Sequence, residues 1–162
     1  MNTRQCMSCG AQDSMQHFEG RSLSVDYKNV SRWVHDIAGW ECKVCGEIIF
    51  DNDTDSAKRY SDAGHKLLED CFQIMGTEMK RIRRKLHLTQ KEAVKLLSGA
   101  GHNAFSRYER GELQPPQALF TLMRLLDRHP HLLAEIQAMN GGADLKRLLA
   151  ARFPEQETVL AS

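Results

Sequence analysis

Apolar residues recur along this chain with two different periods. Between Arg21 and Trp40 the spacing is short: Leu23, Val25 and Tyr27 alternate with polar residues, and Trp33, Ile37 and Trp40 follow without a long helical pattern. Alternation sends successive side chains to opposite faces of a strand, so the segment predicts a small antiparallel sheet. From Thr54 onward the spacing lengthens to three and four. Ala57, Tyr60, Ala63, Leu67, Leu68, Cys71 and Ile74 mark one helix through Met75, and Gly76 separates it from a second over Thr77 to Leu86, with Met79, Ile82 and Leu86 facing inward.

Leu88 to Gly111 then predicts two short helices around a glycine turn. Thr89 and Glu92 are spaced as a capping box, each able to satisfy a free backbone N–H at the helix start, and Leu88 can staple onto Ala93. Val94 and Leu97 share the face of Ala93, and Ser98-Gly99-Ala100-Gly101 breaks the helix. Beyond Gly111, Pro115-Pro116 opens a helix with Leu119, Leu122, Met123 and Leu126 in one stripe. His129-Pro130 opens another, striped by Leu132, Leu133, Ile136 and Met139 and stopped at Asn140-Gly141-Gly142. Asp144 can cap a short extra helix carrying Leu145, Leu148 and Leu149, and Pro154 onward reads as a loose tail. The fold class is therefore α+β. Residues 1–75 form a small domain with a short antiparallel sheet and a helix, residues 76–140 form a five-helix all-α domain, and residues 141–162 form a C-terminal extension.

The helix from about His102 is chemically divided. At 100° per residue, Asn103, Ser106, Arg107 and Arg110 share one arc, while Ala104, Phe105 and Tyr108 occupy the other. Asn103 and Arg107 project together from the part of the helix where a helix-turn-helix protein presents its base-reading side chains, asparagine to adenine N6/N7 and arginine to guanine O6/N7. An amphipathic helical pair alone says nothing about DNA, but the charge does. Between Thr77 and Gly111 nine basic residues face three acidic ones, whereas a solvated face mixes the signs more evenly.

Four of the five cysteines form matching pairs, Cys6-x-x-Cys9-Gly10 and Cys42-x-x-Cys45-Gly46, separated by 32 residues. Two such knuckles complete one tetrahedral zinc shell, and four thiolates leave no open position, so the expected Zn²⁺ is structural and one per chain. Disulfides are disfavoured in a cytosolic protein, and a redox pair would need a βαβ context that is missing. Cys71 falls on an apolar helical face and reads as core; His17 and His35 read as surface or strand residues. Residues 1–70 carry eight Lys/Arg and twelve Asp/Glu, and residues 71–162 carry fourteen and nine. A tetrathiolate zinc site adds a further −2 to the acidic half, which phosphates would repel, so that half is expected to bind protein. No apolar leader or membrane-length stretch is present, which predicts a soluble cytoplasmic protein. No set of His, Asp, Ser or Cys suggests catalysis and no phosphate loop appears, so an enzyme is not expected.

With zinc knuckles and helix-turn-helix both in place, the chain resembles the MqsA family of antitoxins of bacterial type II toxin–antitoxin systems. RKLHLTQKEAVKLLSGAGHNAFSRYERGELQP resembles that family's Xre-type helix-turn-helix, down to the N-A-F-S-R-Y-E run, and the C-x-x-C pairs match in order and approximate spacing. The residues between the pairs resemble the family only weakly, and the tail after about Met139 is an addition. The resemblance implies an antitoxin that forms a homodimer through its C-terminal domain, represses transcription from a palindromic operator in its own promoter, and holds a ribonuclease toxin with its zinc domain. It maps base reading onto Asn103 and Arg107, zinc ligation onto Cys6, Cys9, Cys42 and Cys45, and backbone contact onto Gln90. Lys80, Arg81, Arg83, Arg84, Ser106 and Arg110 complete the expected DNA-backbone set. The alternative is a stand-alone zinc-containing Xre-family repressor with no toxin partner.

Overall fold

The computed structural model describes residues 4–98, 101–140 and 142–154. The chain divides into two compact units, one up to Asp70 and one from Cys71.

The first unit is built on a long hairpin. Strands β1 (Met15–Tyr27) and β2 (Val30–Cys42) pair antiparallel across a two-residue turn, and β3 (Ile48–Phe50) adds to β2, giving the order β1-β2-β3. Two bulges interrupt the ladder. Phe18 pairs Gly39 and Arg21 pairs Ile37, so β1 carries the extra residue there; Leu23 then pairs Val34, so β2 carries the next, at Asp36 with φ +57°. Each insertion resets the two-residue alternation, so Val34 and Ile37, three apart, are both buried. The expected sheet is present, but Trp33 is 61% exposed on it.

Helix α1 (Ser56–Lys85) begins within this unit. Several polar bonds tie its first half to the sheet: Ala38 N–H donates to Ser56 Oγ at 3.0 Å, Tyr60 Oη to Ser24 O at 2.9 Å, and Arg59 Nη1 to Asp36 O at 3.1 Å. Gly76, expected to separate two helices, lies inside this single helix. A Cβ there would sit 2.3 Å from Tyr108 O, so the glycine marks a close approach of backbones and not a break.

The second unit contains the rest of α1, α2 (Gln90–Ala93), α3 (His102–Glu109), α4 (Gln117–Arg128), α5 (Leu132–Asn140) and α6 (Ala143–Arg152). The capping box is formed: Thr89 Oγ1 accepts from Glu92 N at 3.2 Å and Glu92 Oε2 accepts from Thr89 N at 2.7 Å. α2 passes directly into a π-helical turn at Val94–Ser98. Its wider winding departs from 100° per residue, so Leu96 and Leu97 are both half-buried against the core beside buried Val94. The expected glycine break at Gly99-Ala100 lies outside the described residues. Met79, Ile82, Leu86, Leu88, Phe105, Tyr108, Leu119, Met123 and Leu126 form one apolar cluster. Leu132, Leu133 and Ile136 of α5 pack onto it, but Met139 is exposed. On α6 the stripe is also uncovered at Leu145 and Leu148, where this last helix packs mainly along α5 among the described residues. Asp144 does not cap it: the cap is Gly142, in the left-handed region, and Asp144 pairs with Arg147 at 2.6 Å. The tail after Pro154 lies outside the described residues.

Candidate functional site

The two C-x-x-C turns have the same local geometry. Gly10 N–H donates to Cys6 O and Gly46 N–H to Cys42 O, each at 2.9 Å, with both glycines near φ +75°. Each turn curls its two sulfurs to one side. The β1–β2 register then brings the turns together, since Met15 pairs Cys42 and Arg4 bridges to Met15. All four Sγ atoms lie within 4.8 Å of one another, and the Cys6–Cys45 and Cys9–Cys42 separations are both 3.7 Å. A tetrahedron with Zn–S bonds of about 2.3 Å has edges of about 3.8 Å, which the two 3.7 Å separations match, so the cluster fits a tetrathiolate zinc site.

The acidities of the set point the same way. Ser14 Oγ and the backbone N–H groups of Cys45 and Val44 pull the Cys42 thiol down to about 6. Cys45 goes the opposite way, up to about 12: the Glu47 N–H favours its thiolate, but burial and the neighbouring sulfurs outweigh it. Four thiolates at this spacing need a cation to coexist. Trp40 packs with Cys6, Met15 and Cys42, and its outer surface carries Arg4 at 4.1 Å and the edge of His17 at 4.9 Å. His17 in turn bonds Asp51 Oδ2 at 2.7 Å and His35 bonds Ser22, so neither joins the sulfurs. Cys71 is half-buried on α1 and is not among the four clustered sulfurs.

In the second unit α3 is divided as its wheel predicts. Phe105 and Tyr108 are buried edge to face at 6.5 Å, while Asn103, Arg107 and Arg110 are exposed and Ser106 is half-exposed. The basic residues around this helix separate into two kinds. Lys80 and Arg84 stand exposed on α1. Arg83 does not: its side chain is 12% exposed, Nε and Nη2 donate to the Glu109 carboxylate at 2.5 and 3.1 Å, and Nη1 donates to Leu88 O at 2.8 Å. These inward bonds engage all three guanidinium nitrogens of a residue expected on the DNA backbone. Gln90 Nε2 joins the same carboxylate at 2.7 Å, which links α1, α2 and α3 through one buried group. Arg81 is shared between Glu78 and Asp127, and Lys85 also reaches Asp127 at 2.8 Å. Arg81, followed by Lys85, holds the Asp127 carboxyl well below the usual range.

The sequence reading missed Glu109 and Glu112. Glu109 could have been found, because it lies four residues from Phe105 on the apolar arc, where a carboxylate requires a buried partner. Glu112 lies beyond the helix, and helical periodicity does not place it.

Among the described residues no helix is long and apolar enough to cross a membrane. A family model described as the antitoxin component of a bacterial toxin–antitoxin system, MqsA, matches residues 4–137, which takes in the cysteine cluster and both helices around the turn. The chain is also similar to the protein named Antitoxin MqsA of Escherichia coli strain K12. The two are 35% identical over 131 residues, 81% of this chain and 92% of the relative.

Proposed function

The chain belongs to the MqsA family of bacterial antitoxins, and from that membership we propose that it neutralises a ribonuclease toxin through its zinc unit and represses its own operon through its helix-turn-helix unit. The observation that carries the reading is the extent of the match, which runs through the acidic tetrathiolate half and the basic helical half alike. The division of labour follows from charge. The first unit, with a net formal −4 made more negative by the zinc thiolates, suits a basic protein partner. The exposed arc of α3 suits the major groove, with Asn103 and Arg107 as base readers. Lys80, Arg84 and Arg110 remain suited to phosphate contact, whereas Arg83 acts by holding Glu109. A palindromic operator would require a homodimer, the second unit supplying its contacts. The protein would act in the cytoplasm as a regulator without catalytic activity of its own.

Two measurements test this. The product of the adjacent open reading frame should copurify with the full chain and lose its ribonuclease activity in the complex. The full chain should also shift DNA from immediately upstream of its own coding sequence, and Arg107→Ala should cost about 1–3 kcal/mol on that DNA while leaving random DNA nearly unaffected. Equal losses on both duplexes would remove Arg107 from base reading. Sequence-specific binding without any copurifying toxin would leave a solitary repressor.

A further inference from the structure

The main chain folds back on itself at the end of α3. Gly111 N–H donates to Tyr108 O and Glu112 N–H to Arg107 O, each at 3.0 Å, with Gly111 at φ +70°. These are the two bonds of a Schellman motif, which returns the second residue past the helix cap over the third residue before it, usually to make an apolar contact. Here those two residues are Glu112 and Arg107. The contact is an ion pair, with Glu112 Oε2 3.4 Å from Arg107 Nε and both side chains about half exposed. The same carboxylate takes Arg110 in a two-point contact at 2.5 and 3.1 Å. Gln73 Nε2 donates to Arg110 O at 2.9 Å, and a Cβ on Gly111 would meet the Gln73 side chain at 2.7 Å, so the fold-back is also held from α1. The backbone stop of the helix thus places this carboxylate.

Two consequences follow for a helix that reads DNA. The carboxylate approaches Arg107 at Nε, on the edge away from the pair of terminal amino groups that forms a fork for guanine O6 and N7. An exposed ion pair of this kind adds little to folding, but it strengthens once bases exclude water from around it. The same negative charge stands beside two arginines of the DNA face, where it repels phosphates of any sequence. We propose that Glu112 is a specificity-determining positioning residue, bracing Arg107 for base contact while opposing indiscriminate backbone binding. This rests on the DNA-binding reading above.

The test uses the zinc-loaded full chain. Wild-type protein first selects duplexes from a random-sequence pool; wild type, Glu112→Gln, Glu112→Asp and Arg107→Ala are then titrated against the selected duplex and a random duplex across a range of salt. Glu112→Gln should bind the random duplex roughly three- to tenfold tighter, with a salt slope steeper by about one phosphate contact, and should lose several-fold of the preference at the base position that Arg107→Ala abolishes. Glu112→Asp, which keeps the charge on a shorter arm, should retain the weak random binding and lose part of the base preference. A purely structural role would lower the melting temperature without moving the salt slope or the base preference, and that result overturns the proposal. So does a Glu112→Gln protein that matches wild type on both duplexes while Arg107→Ala loses its preference; the DNA-binding reading then stands and only the role of Glu112 falls. If wild type enriches no sequence, both fall together.

Discussion

Glu109→Gln removes one charge from the buried group that ties three helices together and leaves almost everything else in place. Glu109 is 3% exposed at its side chain and Arg83 12%, and the carboxylate accepts from Arg83 Nε, Arg83 Nη2 and Gln90 Nε2. Arginine cannot shed its proton at any ordinary pH, so the variant leaves a guanidinium ion with little access to water. Breaking one side of a buried pair costs about 3–5 kcal/mol. Glutamine keeps the volume and one carbonyl oxygen, and Arg83 still donates to Leu88 O, so the lower figure, about 3 kcal/mol, is expected. For a unit running from Cys71 to Ser162 this corresponds to a melting temperature lower by roughly 10–25 °C. The assay is thermal and urea denaturation followed by circular dichroism at 222 nm, at one fixed protein concentration so that self-association does not shift the midpoint. Both tryptophans, Trp33 and Trp40, lie in the first unit, so their fluorescence reports separately on that half. Arg83→Met combined with Glu109→Gln should recover part of the loss, because no stranded charge remains. A Glu109→Gln loss below about 1 kcal/mol would mean that the network behaves as a surface ion pair, and the buried-staple interpretation would be wrong.

Three further outcomes are expected. Metal analysis should find about one zinc per chain, and its removal by a strong chelator should unfold the first unit with a large change in Trp40 emission, since Trp40 packs against two of the thiol residues; an unchanged spectrum of metal-free protein would contradict this. Gly76→Ala should destabilise by about 1–3 kcal/mol through its clash with Tyr108 O, even though alanine favours helix by about 1 kcal/mol; Gly64→Ala, in the same helix with nothing within 4 Å of the added Cβ, should instead stabilise. If both variants stabilise, the close approach at Gly76 is refuted. Asp127 has a folded-state pKa below its unfolded value, so the stability it contributes is complete above the ordinary carboxylate value near 4 and is lost as pH falls below that. Melting temperature measured between about pH 6 and 2 should therefore drop less steeply in Asp127→Asn than in wild type.

Much of the molecule was legible because its signals are local. The Thr89–Glu92 capping box spans three residues, each cysteine knuckle spans four, and the division of α3 repeats within two turns; each is set by backbone geometry over a distance that sequence spacing measures directly. The antiparallel sheet and the α+β class followed from the change of apolar period near Thr54. Other expectations failed where a distant chain segment intervened. Gly76 read as a breaker because glycine is a poor helix former, yet the approach of Tyr108, thirty-two positions away, makes it the residue that fits. The short helix carrying Leu145, Leu148 and Leu149 is present, but periodicity records which side chains share a face and not whether anything covers it, and Leu145 and Leu148 are exposed.

The sequence by itself determined most of the elements, the four cysteines that cluster and the chemical character of α3, since all of these depend on residue type and short-range spacing. Only the tertiary structure decided which charges are available to a partner. Arg83 and Arg84 are adjacent and chemically identical, yet one is turned inward to Glu109, twenty-six positions away, while the other faces solvent. Burial makes that difference, because a guanidinium deprived of water must find its hydrogen bonds within the protein, and the partner it finds is fixed by how the helices pack.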